Sequence, residues 1–226
     1  MMIDVLYEDS HIVAVNKPAG VYVHPSPGHE HGTLTGELVR RYPECANVGS
    51  PERPGVVHRL DAGTTGVVLF ARTRQAYLKL REMFESHREI KKTYLAVLHG
   101  APKQRTGTLK CNIDRKPWDP RRMAIVGHGG KHAVTHWCVL SKKGPLALVE
   151  FKIETGRTHQ IRLAAASLGC PIAGDDLYGD AAKDRRLRTR PGHLLLHAVS
   201  LEFPHPASGV PLAISAPPPE DFIYAC

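Results

Sequence analysis

A chain of 226 residues with 42% hydrophobic and 23% charged side chains is long enough to bury a core and has the composition of a soluble globular protein, which excludes a disordered or fibrous class. Thirty Lys and Arg against 22 Asp and Glu give a formal charge of +8, which favours a polyanionic partner such as nucleic acid but equally fits a solvated basic surface. Five scattered cysteines with no C-x-x-C pair argue against a disulfide framework or zinc knuckle and for reduced thiols in the cytoplasm. Acids near the start and the lack of a long apolar run argue against a signal peptide or a membrane span.

In chain order, Ile3–Tyr7 and Ile12–Asn16 read as strands around a polar turn at Asp9–Ser10, and Asn16-Lys17-Pro18-Ala19-Gly20 breaks the pattern. His24–Gly32 is a Pro/Gly/His loop, Thr33–Tyr42 a short helix, and Cys45–Gly55 a second loop. Val67–Ala71 is a continuous apolar run of strand length. Arg74–His87 follows as an amphipathic helix with Leu78, Leu80, Met83 and Phe84 on its apolar side. Thr93–Leu98, Val134–Leu140 and Leu146–Ile153 are β-like, and Ala101–Gly130 between them reads as an irregular excursion with at most short strands. Thr158 is placed to cap a helix that ends before Gly169, with Ile161, Ala164, Ala165 and Leu168 as its buried stripe. Leu194–Phe203 is the last long strand, ahead of a Pro-rich stretch. Strands outnumber helices without alternating with them, so the expected class is α+β: a mixed, largely antiparallel sheet with flanking helices and loops.

The segment richest in chemistry is His58-Arg59-Leu60-Asp61-Ala62-Gly63-Thr64-Thr65-Gly66, which leads into the apolar strand Val67–Ala71. An Asp in a Gly/Thr loop is ordinarily a turn residue. Here the carboxylate adjoins Arg59, whose charge favours its ionised form, and it precedes a buried strand that can hold it rigidly, which suits nucleophilic or general-base work. A second segment, Gly156-Arg157-Thr158-His159-Gln160-Ile161-Arg162, opens the later helix. Arg162 reads either as a surface ion-pair partner or as a fixed cation whose planar fork grips a carboxylate.

These two segments, with Gly174-Asp175-Asp176-Leu177-Tyr178-Gly179, resemble the RluA family of RNA pseudouridine synthases. The resemblance runs over almost the whole chain. It takes in Asn16-Lys17-Pro18-Ala19-Gly20, Lys92-Thr93-Tyr94, Leu195-Leu196-His197-Ala198, His205-Pro206, Gly209 and Ala216-Pro217. It implies the pseudouridine synthase fold in one catalytic domain over residues 1–226, two lobes around a central cleft being an allowed variant, with no room for a small N-terminal RNA-binding domain. It implies that Asp61 is the essential aspartate, attacking the ribose or the base. Tyr94 stacks on the target base, and Arg162 pairs with the aspartate. Arg59 fills the space left by the flipped nucleotide, and Leu195 lines the pocket. Tyr94 and Leu195 read on their own as core residues. No cofactor and no metal is implied. The expected partner is RNA, ribosomal or transfer, with no DNA and no membrane, and the chain is expected to act as a cytoplasmic monomer. Thr65 where serine is commoner, and Ala164 and Cys170 where many members carry histidine, bear on substrate choice.

Chemistry on a base requires its removal from the stack. Basic segments that could meet the RNA backbone are Arg88–Lys92, Arg115–Arg122 with Trp118 among its charges, and Lys183–Arg190. Two rival readings remain at this point. One is a metal-dependent hydrolase, suggested by His24, His29 and His31, which lack an obvious carboxylate partner. The other is a non-catalytic RNA-binding protein or RNA chaperone that retains the fold.

Overall fold

The computed structural model describes residues 3–187 and 191–225. Its elements in chain order are β1 (Asp4–Glu8), β2 (Ile12–Lys17), α1 (Leu34–Arg41), a 3-10 turn (Pro43–Asn47), β3 (Gly49–Ser50), β4 (Arg53–Pro54), β5 (Thr65–Ala71), α2 (Arg74–Ser86) and β6 (Lys91–His99). There follow β7 (Thr106–Arg115), β8 (Met123–Val126), β9 (Lys131–Lys143), β10 (Leu146–Ile153), α3 (Gln160–Ser167), α4 (Ala181–Arg186), β11 (Leu196–Pro204), β12 (Pro211–Ser215) and a last 3-10 turn (Glu220–Ala225). The class is α+β with largely antiparallel strands, as the sequence predicts. Two compact units divide the chain. The first holds the residues up to Lys91 and Ala198–Pro217; the second holds Lys92–His197 and the residues from Pro218 on. Among the described residues no helix is long and apolar enough to cross a membrane.

In the first unit β2 lies between β1 and β5, antiparallel to both, and the order continues to β11 and β12. Every residue of β5 is buried, which explains its unbroken apolar run: both faces of the strand are covered. Val67, Leu69 and Ala71 join Ile12, Ala14, Leu80 and Phe203 in one core cluster. Helix α2 starts where the Thr73 hydroxyl accepts the Ala76 N–H at 3.2 Å. Leu80 is fully buried, worth about 1.5–3 kcal/mol. Leu78, counted above on the apolar side, is 57% exposed, because two residues of helix carry it to the face opposite Leu80. The stretch Cys45–Gly55, read as plain loop, contains the β3–β4 hairpin, with Ser50 paired to Arg53.

The second unit is an antiparallel sheet in the order β6-β10-β9-β7-β8. Its ten-residue β7 corrects the expectation of an irregular excursion over 101–130. That strand alternates exposed and half-buried residues and so lacks an apolar run, and Gly107 is required because the Trp137 indole fills the space a Cβ would take. Helix α3 also departs from expectation: it begins at Gln160 behind His159, which sits in the left-handed region (φ 56°) and makes no side-chain cap, so Thr158 is not the N-cap. The two 3-10 turns, α4 and β12 also went unpredicted. α4 is capped by the Asp180 carboxylate on the Ala182 and Lys183 amides, and β12 pairs with β11 inside the Pro-rich stretch.

Candidate active site

Strand-like alternation sets the directions of the motif residues in the first unit. His58 and Leu60 turn inward: the His58 Nε2 accepts the Leu69 N–H at 2.9 Å, its ring stacks on Phe84 at 4.5 Å, and Leu60 is buried. Arg59 and Asp61 therefore face outward, Arg59 exposed and Asp61 half-buried. The Asp61 carbonyl accepts the Thr64 N–H at 3.1 Å, closing a tight turn. The next carbonyl, that of Ala62, accepts from the Gly20 amide at 2.9 Å and from the Lys17 Nζ at 2.7 Å. The carboxylate thus rides on a backbone turn pinned from both sides. Behind it Gly66 (φ 107°) presses against β11, where any Cβ would collide with the backbone of Ala198.

Lys17 is the residue sequence reasoning missed here. It is fully buried, and its Nζ also donates to the Pro18 carbonyl at 2.9 Å. Burial lowers its ammonium to about 7, and the Asp61 charge partly offsets that fall. The sequence reading gives Asp61 a cation in Arg59, but the Arg59 Nη1 lies 3.3 Å from the His24 Nε2 instead, and the Asp61 charge supports that of Lys17. Its signals in the sequence are a lysine closing an apolar strand directly before a proline and its place in the Asn16-Lys17-Pro18-Ala19-Gly20 motif.

In the second unit Arg162 is buried on the first turn of α3. Its Nε and Nη2 donate to both oxygens of Asp175, at 2.8 and 2.6 Å, and Nη2 also reaches Asp176 at 3.0 Å. The Tyr178 ring lies 5.2 Å from the guanidinium. Asp175 additionally accepts the Leu177 and Tyr178 amides, both at 2.9 Å. Burial alone would raise its carboxyl; the Arg162 hydrogen bonds and charge, with the two amides, outweigh that and hold it below the ordinary carboxylate range. Asp175, quoted above only as part of a motif, thus holds the loop around the arginine. Gln160, buried, receives the Thr155 hydroxyl (2.8 Å) and the Arg157 amide (3.0 Å) and donates to the Val134 carbonyl (2.9 Å), which fixes the turn before the helix.

Tyr94 is half-buried on β6 opposite Phe151, packed against the core of this unit. Leu195 is buried in the same cluster, its backbone bonded to Val97 and Ala173. Lys92, also buried, donates to the Thr155 carbonyl at 3.4 Å, and burial with the Arg157 charge brings it down to about 8. Among the described residues no three His, Cys, Asp or Glu side chains are grouped to hold a metal ion; His29 stacks on Tyr22 at 4.1 Å and His24 is buried. The β7–β8 turn exposes Trp118 to 94%, and the part of Lys183–Arg190 from residue 188 lies outside the described residues.

A carboxylate on a pinned turn and an arginine locked by a buried aspartate are framed by motifs that a family model recognises: residues 11–167 match the one described as RNA pseudouridylate synthase. The chain belongs to this family. An uncharacterized RNA pseudouridine synthase of Synechocystis is 39% identical over 97% of the chain and 67% of its own length. The ribosomal large subunit pseudouridine synthase D of Xanthomonas campestris is 45% identical over the same shares. The chain therefore spans about two thirds of the length of these relatives. Human RNA pseudouridylate synthase domain containing 4 superposes with a TM-score of 0.77 at 28% identity, covering 98% of this chain and 90% of that one. The RNA pseudouridylate synthase domain containing 1 of human gives 0.77 at 27%, over 96% and 83%. The synthase is an isomerase that acts on RNA, as the resemblance implies.

Proposed function

We propose that this synthase converts uridine to pseudouridine in ribosomal or transfer RNA with Asp61 as its catalytic carboxylate. Tyr94 and Arg162 complete the reacting centre, and Arg59 and Leu195 hold the substrate. The observation that carries the reading is the Asp61 turn, whose backbone is pinned by Gly20 and the buried Lys17 so that the carboxylate is presented in one orientation. The target uridine is flipped out of its stack. Asp61 attacks the ribose or the base, and the bond between C1′ and N1 breaks. The uracil turns within a dry pocket and C5 bonds to C1′ as the bond to Asp61 breaks and returns its carboxylate; the C5 proton then leaves to solvent while N1 gains one, so atoms and electrons balance without cofactor or metal. Tyr94 offers a flat face to the base, and Arg162 supplies the fixed cation of the centre. The name of the Xanthomonas relative favours ribosomal RNA.

The Arg115–Arg122 turn with exposed Trp118 suits an unpaired base and its phosphates. Free thiols at Cys45, Cys111, Cys138 and Cys170 fit a cytoplasmic protein, and a monomer is the working state. Tritium release from RNA labelled at C5 of uridine, taken from cells lacking the protein, tests the reading. Wild type should release and Asp61→Ala should not, while both bind RNA. Equal release by the two would remove Asp61 from the mechanism. Release by neither, with binding kept, would favour an RNA chaperone.

A further inference from the structure

We propose that a cavity of about 270 Å³ in the first unit, lined by His24, Arg53, His58, Arg59, Tyr77 and Arg81, is a phosphodiester subsite that takes one backbone phosphate of the RNA. The proposal rests on the chain being an RNA-acting enzyme and adds a binding site to it. No carboxylate lines the cavity, and three guanidinium groups do. Arg53 and Arg59 form no ion pair among the described residues. Arg81 is paired with Glu85 one turn along α2, and Glu52 is the acid whose charge reaches Arg53. A phosphodiester carries one negative charge over two free oxygens, which matches the fork of an arginine better than the point charge of a lysine.

One wall is built rather than merely charged. His24 is 4% exposed, and its Nδ1–H donates to the Pro25 carbonyl at 2.9 Å, leaving the Nε2 lone pair toward Arg59 Nη1 at 3.3 Å. The imidazole therefore holds the exposed Arg59 from behind by a hydrogen bond that does not cancel its charge, whereas a carboxylate in that place would. Burial lowers the His24 imidazole, keeping it the neutral acceptor this bond needs, and the charges that act on it are those of Arg59 and Arg53. Three guanidinium groups, of which Arg53 and Arg59 form no ion pair among the described residues, thus give a small concave space two residues from Asp61 a net positive potential that suits an anion of a bound RNA.

The test measures affinity for ribosomal RNA against salt concentration for wild type, Arg53→Ala, Arg53→Lys, Arg81→Gln and Lys79→Ala. Lys79 is exposed on the same helix and does not line the cavity. If the cavity holds a phosphate, Arg53→Ala and Arg81→Gln weaken binding and lower the salt slope by about 0.7–0.9. Arg53→Lys restores part of the affinity, Lys79→Ala changes little, and tritium release at saturating RNA stays at the wild-type rate. An unchanged slope in Arg53→Ala and Arg81→Gln overturns the proposal, as does a loss in Lys79→Ala equal to theirs, which marks a solvated basic face. Melting curves exclude unfolding as the cause. A wild type that releases no tritium refutes the catalytic reading and leaves the salt slopes, which report binding alone, to decide the subsite.

Discussion

Substituting Asp175→Asn should destabilise the second unit by about 3–5 kcal/mol, the range for breaking a buried ion pair from one side. The side chains of Arg162 and Asp175 are 6% and 1% exposed. Asp175 accepts four hydrogen bonds, two from the guanidinium and two from backbone amides. Asparagine keeps one acceptor oxygen, turns an amine toward donors, and removes the charge that compensates a buried cation. Asp176 also reaches Arg162, but its side chain is 82% exposed, so Asp176→Asn should cost less than about 1 kcal/mol. Urea unfolding followed by tryptophan fluorescence reads the difference, because Trp137 lies in the core of the same unit. The pH dependence supplies a second readout. A carboxyl held below its unfolded value contributes stability that is complete above that value and is lost as pH falls through the folded one. Asp175→Asn should therefore flatten the acid limb of the stability profile. A loss under about 1 kcal/mol, or one no larger than that of Asp176→Asn, would refute the reasoning.

The basic limb should carry the signature of Lys17. Its folded value of about 7 lies below the unfolded one, so the unfolded chain binds more protons and stability rises with pH above 7. Lys17→Met should remove up to about 1.4 kcal/mol per pH unit of that rise between pH 7 and 8.5, and an unchanged slope in urea titrations would contradict it. Cys45, raised by burial to about 11, acts in the opposite sense only above its ordinary value. Gly66→Ala should cost well over about 1 kcal/mol, because φ is 107° and the new methyl meets the Ala198 backbone; a wild-type melting temperature would refute this. Trp118→Ala, at a 94% exposed site, should leave stability within about 0.5 kcal/mol of wild type and lower RNA affinity, measured by unfolding and binding side by side.

The elements legible in the sequence are those whose burial leaves a plain period. β5 carries the apolar run Val67–Ala71 because both its faces are covered, β2 and β10 each open on four buried apolar residues, and α2 repeats at helical spacing around Leu80. β7 escaped because its half-buried face carries Gly107, Leu109, Cys111 and Ile113 between polar residues, and the start of α3 escaped because a left-handed His159 does not advertise itself. At the site the motif residues could be named, but not what holds them. Lys17 grips a carbonyl 45 residues away and Gln160 one 26 residues away, and no local pattern records a partner at such separation. Arg59 shows the converse: adjacency to Asp61 suggested an ion pair, whereas alternation along the backbone and the His24 acceptor give it another direction.

The two units fix the residues proposed for the site in different ways. A residue meant to act on a substrate must be exposed enough to reach it and yet held in one orientation, and its own hydrogen bonds are needed for the reaction. In the first unit the fixing is moved to neighbours: the buried Lys17 and the Gly20 amide hold the carbonyl next to Asp61, and the buried His24 holds Arg59 through a neutral nitrogen; in the second, Asp175 grips the buried Arg162 directly and Gln160 sets the turn before it. Burial lowers Lys17 and His24, which is a cost to the fold, whereas Asp175, against the pull of burial, is lowered by the Arg162 hydrogen bonds and charge and two backbone amides, which is a gain. Substitutions at Lys17, Gln160 and Asp175 should consequently act through orientation, lowering the rate of tritium release at saturating RNA while RNA affinity is kept, whereas substitutions in the Arg53–Arg81 cavity should do the reverse. That opposition separates the residues that aim the chemistry from those that hold the chain on which it is performed.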